Sequence, residues 1–105
     1  MNTDTLNRAM EIAKTIVNQI KFADKWALGA WGVSRMAAIS ESKEFQGGLE
    51  LSVNGLTHKG WVKVQLRWVD DYTITFINKQ REIVKEIKGI YCDQLVEAID
   101  WVEGK

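Results

Sequence analysis

Between Leu49 and Phe76 the apolar residues fall mainly on alternate positions, the period-two pattern of a strand with one buried and one solvated face. This confines the chain to folds with an antiparallel sheet that is apolar on one side. Asn54-Gly55 sits inside the alternation and predicts a two-residue type I′ hairpin turn. Such a turn pairs Val53 with Leu56. It gathers Leu49, Leu51 and Val53 on one face with Leu56, His58, Gly60, Val62, Val64, Leu66 and Trp68. Glu50 then faces Lys59, and Ser52 faces Thr57, on the solvated side.

The next turn is expected as a three-residue loop, Val69-Asp70-Asp71, with Asp71 in the left-handed conformation that Asp tolerates. It pairs Trp68 with Tyr72 and carries Ile74 and Phe76 inward. Asn78-Lys79 supplies a third turn that brings Ile83 and Ile87 inward, with Lys85 between them. A lysine on an inward position belongs to an edge strand, where it discourages edge-to-edge pairing.

Helices flank this meander. Leu6, Ala9, Met10, Ala13, Ile16, Val17 and Ile20 occupy one arc at 100° per residue, opposite Asn7, Arg8, Glu11, Lys14, Asn18 and Gln19. Thr3 or Thr5 is placed to cap that helix, with Asp4 near the positive end of its dipole. A second helix runs from about Cys92 to Val102, with Leu95, Ala98, Ile99 and Val102 as its buried stripe. Residues 22–48 are less regular. Asp24 is placed to cap a short helix through Leu28 that Gly29 or Gly32 ends, Val33 to Ser40 is a candidate strand, and Glu41 to Gly48 is expected to be a polar loop. The expected fold is α+β: one domain over residues 1–105, a two-layer antiparallel β-meander of four to five strands with an N-terminal and a C-terminal helix on one face.

Composition excludes several classes. The 105 residues carry 14 basic and 14 acidic groups, so the counterion-displacing cationic excess of a dedicated phosphate-backbone binder is missing. The single cysteine, Cys92, allows no intrachain disulfide and no structural zinc site, and is expected to be a buried thiol. Met1 to Arg8 lacks the apolar stretch of a signal peptide, and no run approaches the roughly 18 apolar residues of a membrane span. A cytoplasmic location is expected, with no membrane partner, no small-molecule substrate, no metal and no cofactor.

Catalysis finds little support. Asp70 and Asp71 are adjacent carboxylates in a turn, where Asp is selected for its backbone behaviour. His58 and Cys92 make a nucleophile–base pair only if the fold joins them, and no glycine loop has the strand–glycine–helix context of a phosphate cradle.

Two surfaces are candidates for binding. The C-terminal helix carries Asp93, Glu97 and Asp100 on one side with Trp101 at its margin. Carboxylates near a helix C-terminus oppose its dipole, and a tolerated cost of that kind suits an acidic surface for a protein partner. Trp61 is a secondary anchor, because exposed Trp is enriched at interfaces. The alternative is the outer sheet face, where Trp61, Lys63 and Arg67 form an aromatic–basic row able to stack and neutralise single-stranded nucleic acid. Trp26 and Trp31 are expected beneath the first helix, and Trp68 in the core.

Ala27-Leu28-Gly29-Ala30-Trp31-Gly32, Val53-Asn54-Gly55-Leu56, Lys59-Gly60-Trp61-Val62-Lys63 and Gly89-Ile90-Tyr91-Cys92-Asp93-Gln94-Leu95-Val96 together resemble short uncharacterised proteins of bacteriophages and integrated mobile elements of bacteria. The resemblance spans roughly residues 24–100 and implies an accessory protein with no reaction attached. The expectation is a non-catalytic protein-binding module whose partner is a host or phage protein or a second copy of the chain. A weak single-stranded nucleic-acid binder is the alternative.

Overall fold

A computed structural model describes residues 3–104, with side chains from Asn7 onward. The capping positions Thr3, Asp4 and Thr5 therefore lie outside the described side chains. The order is α1 (Thr3–Ala23), α2 (Ala27–Ala30), β1 (Arg35–Ile39), β2 (Phe45–Asn54), β3 (Lys59–Arg67), β4 (Tyr72–Asn78) and β5 (Ile83–Ile90). A 3₁₀ turn (Cys92–Gln94), α3 (Leu95–Ile99) and a second 3₁₀ turn (Asp100–Glu103) complete the chain. The strands form one antiparallel sheet in the order β1-β2-β3-β4-β5, so the expected α+β meander is the fold. Among the described residues no helix is long and apolar enough to cross a membrane.

Burial follows the two periodicities. Ala9, Ala13, Ile16 and Ile20 of α1, together with Leu95, Ile99 and Val102, close over Leu49, Leu51, Val62, Val64, Ile74 and Phe76 of the inner sheet face. Trp31 is fully buried among them, whereas Trp26 is 72% exposed and outside the core. Asp24 accepts a hydrogen bond from the Trp26 N–H through its side chain, but in the turn ahead of α2. The N-cap is Trp26, with no side-chain cap, so Asp24 does not cap the helix as expected. α2 ends in a Schellman motif, Val33 N–H to the Leu28 carbonyl and Gly32 N–H to that of Gly29. Gly32 supplies the left-handed residue, at φ 66°.

The turns depart from expectation in register but not in face. Val53 pairs with Gly60 and Glu50 with Lys63, a shift of four residues from a type I′ hairpin. An even shift leaves each strand residue on its original face. The connection is the four-residue loop Gly55-Leu56-Thr57-His58, and Leu56, expected inward, is 91% exposed at its tip. The reason lies at the other end of the chain. The Val102 carbonyl accepts hydrogen bonds from Thr57 N–H at 2.9 Å and His58 N–H at 3.1 Å, pulling the loop onto the C-terminal turn. A Cβ on Gly55 would stand 2.2 Å from that oxygen, so this glycine serves close approach and not the positive φ of a type I′ turn.

The β3–β4 loop has three residues, as expected, but they are Trp68-Val69-Asp70. Asp70, at φ 68°, is the left-handed one, with Arg67 N–H bonded to the Asp71 carbonyl. Trp68 therefore stands in the loop, half-exposed, and not in the core. The β4–β5 loop repeats the device: Asn78 N–H reaches the Glu82 carbonyl, and Arg81 takes φ 66°. The skipped Val84 forms a bulge, so Ile83 pairs with Ile77 on the outer face instead of turning inward, while Ile87 still meets Ile74. Phe45 to Gly48, expected as loop, continues β2 through a bulge at Gln46.

Candidate functional site

The structure gives internal partners to several residues chosen from the sequence. Trp101 is only partly exposed. Its ring lies 4.8 Å from that of Phe76 and 5.4 Å from that of His58, and Lys85 Nζ covers it at 4.9 Å. This explains the inward lysine of β5: its stem follows the core rim and its ammonium rests on an aromatic face. Asp100 Oδ1 accepts a hydrogen bond at 3.0 Å from the Trp31 indole N–H, the polar atom of a fully buried side chain. Asp93, in the first 3₁₀ turn, and Glu97, in α3, are exposed. Of the acidic row, these two face solvent, while Asp100 and Trp101 hold the C-terminal turns to the core.

The outer-face candidates are similarly engaged. Arg81 lies 3.7 Å over the Trp61 ring and bridges to Glu50 at 3.5 Å, so a guanidinium occupies the face that a base would stack on. Arg67 donates to both carboxylate oxygens of Asp71, with Nη2 to Oδ2 at 2.7 Å. The Arg67 hydrogen bonds hold the Asp71 carboxyl below its ordinary range, against the opposing effect of burial. Lys63 stands between Glu50 and Thr75. The row exists, but two of its three members are neutralised or covered.

His58 and Cys92 are not joined. His58 Nε2 donates to the Trp61 carbonyl at 3.2 Å with its ring edge-on to Phe76. Cys92 is exposed, contrary to expectation, beside Thr15, Gln19 and Phe22 of α1. The 3₁₀ turn places Leu95, and not Cys92, on the core side. Among the described residues no three His, Cys, Asp or Glu side chains cluster as metal ligands.

The two edges of the sheet differ sharply. β5 is shielded in the manner of a managed edge: it is interrupted at two places and carries Lys85, Glu86 and Lys88. β1 has no interruption, and its one charge, Arg35, stands at its first residue. Its register against β2 runs unbroken from Arg35–Ser52 to Ile39–Gly48, and Met36-Ala37-Ala38-Ile39 contains no charge and no proline. No described strand pairs with its other side. Along the same edge Met36 and Ala38 face inward, opposite Leu51 and Leu49, on the side that α1 flanks. A mainly apolar groove of about 360 Å³ opens there, lined by Met10, Ala13, Val17, Met36, Ala38 and Leu49, with Lys14 and Asn18 as its polar members. Met36 is 51% exposed and Met10 46%.

Sequence reasoning treated residues 33–40 as a strand of poor alternation and did not select these positions. The available signal is the short uncharged run Met36 to Ile39 itself: an edge strand with no bulge or proline and no charge beyond its first residue is the exception. Compared with family models, curated proteins and solved structures, the chain matches none.

Proposed function

We propose that this chain is a non-catalytic protein-binding module that docks its partner by strand addition along β1. The observation that carries the reading is the contrast between the edges, one interrupted and charged along its length, the other uninterrupted, charged only at its first residue and bordered by an apolar groove. An extended segment laid against β1 gains main-chain hydrogen bonds from the free edge. Its alternate side chains enter the groove between β1 and α1, and main-chain pairing with side-chain pockets is how strand addition combines affinity with specificity. Met10 and Met36 suit such a groove, since unbranched thioethers adapt to varied side chains.

Two of the groups considered for chemistry have structural roles: Asp71 holds Arg67, and His58 ties the β2–β3 loop to the core. The nucleic-acid alternative is not favoured, because Arg81 covers Trp61 and Asp71 neutralises Arg67. Set beside its resemblance to phage and mobile-element proteins, the module reads as an accessory factor that acts by pairing with a protein strand, whether a host or phage partner's or a second copy's.

The test is affinity capture from host extract with wild type, Met36→Lys and Glu97→Lys baits. A protein retained by wild type and Glu97→Lys but lost with Met36→Lys supports β1 as the docking edge. Loss with Glu97→Lys alone moves the site to the acidic helix. Oligonucleotide capture at low salt that Trp61→Ala abolishes would revive the outer face.

A further inference from the structure

Resting on that reading, we infer that the strand added to β1 is β1 of a second copy, giving a two-fold dimer with one continuous ten-stranded sheet. Five residues running antiparallel to themselves pair completely in one register, centred on Ala37: Arg35 opposite Ile39 of the other copy, Met36 opposite Ala38, and Ala37 opposite itself. This is the self-complementary arrangement that a two-fold axis requires.

Both faces of the pair suit that register. On the inner face, each Met36 lies against the other copy's Ala38, long beside short. The two grooves bordered by Met10 and Val17 then meet across the axis and cover each other's apolar walls. On the outer face, Glu41 of the other copy lies two positions past the end of β1, in the hairpin arm that the Ser42 N–H to Phe45 carbonyl bond closes. An arm that continues the strand direction sets it diagonal to Arg35, within the reach of long side chains. The symmetry repeats that opposite-charge contact at both ends. Both residues are exposed in the single chain, as an intermolecular pair requires. Ala37, at the axis, has a side chain small enough for its own copy to approach.

Sedimentation equilibrium of the wild-type chain is expected to show the mass rising from 12.0 kDa to twice that value with concentration. Met36→Lys is expected to weaken self-association roughly ten-fold or more, as an inward charge on an edge strand does. Arg35→Glu weakens it as well, and Arg35→Glu combined with Glu41→Arg restores it. In a Cys92→Ser background, Ala37→Cys treated with oxidised glutathione is expected to form a disulfide-linked dimer, whereas Val69→Cys does not.

A dimer indifferent to residues 35–41, with no link through position 37, overturns the inference by placing the contact elsewhere. A monomer at every concentration also overturns it. The two claims then separate: capture of another protein that Met36→Lys abolishes leaves the docking edge standing with a different occupant, and its absence removes both.

Discussion

The indole N–H of Trp31 donates to Asp100 Oδ1 at 3.0 Å, joining residues 69 positions apart. Trp31 has no exposed surface, so its one polar atom depends on this carboxylate. Replacing Asp100 by Ala strands a buried donor, and is expected to cost about 1–3 kcal/mol in urea unfolding. Asp100→Asn keeps an acceptor oxygen and is expected to recover most of that loss. Equal losses for Ala and Asn would mean that the carboxylate's charge, and not its acceptor geometry, matters.

Trp101 belongs to the same closure. Packed on Phe76 and His58 under Lys85, it is a structural residue first. Trp101→Ala is expected to lower stability by about 2–4 kcal/mol, somewhat under the cost for a fully buried Trp because part of its ring remains exposed. A variant as stable as wild type would return Trp101 to the set of free interface residues.

Two glycines separate close approach from conformational freedom. Gly55→Ala drives a methyl into the Val102 carbonyl and is expected to destabilise by about 1–3 kcal/mol, the usual range for overpacking. Gly29 sits inside α2 with nothing within 4 Å of an added Cβ. Gly29→Ala is therefore expected to stabilise by about 0.4–1 kcal/mol through the unfolded chain. Opposite signs at the two sites, read by thermal unfolding, are the expected outcome.

Acid should expose the Arg67–Asp71 pair. The folded carboxyl sits below its unfolded range, chiefly because Arg67 hydrogen-bonds to the ionised form. Between those two values the unfolded chain binds more protons. The stabilisation is thus complete above the ordinary carboxylate range and is lost as pH falls through the folded pKa. Asp71→Asn is expected to flatten that part of the stability–pH curve and leave the neutral region nearly parallel to wild type. An unchanged acid limb would assign the effect to other carboxylates.

These relationships show what local pattern carries and what it does not. The two-residue period of β2, β3 and β4 and the arc of α1 gave the layers and their faces correctly, because each shift in register was even and left the inward set intact. The turns were less legible. Asn54-Gly55 has the chemistry of a type I′ turn, but the glycine is there for Val102, nearly fifty residues away, and no local window contains that demand. Trp68 left the core because its loop closed one residue earlier than expected, and Ile83 turned outward at a bulge that alternation cannot foresee. Lys85 was legible as an edge residue, though its rest on Trp101 was not. Trp101 and Asp100 drew attention as surface features because the sequence hides their partners, Phe76 and Trp31. The bare run Met36 to Ile39 gained meaning only when β5 proved to be the protected edge.

The most direct measurement of that contrast is amide hydrogen exchange across the sheet at several protein concentrations. The account predicts that protection of residues 35–39 rises with concentration while that of residues 83–90 does not change. Exchange in β1 that is independent of concentration, or that merely follows β5, would contradict it.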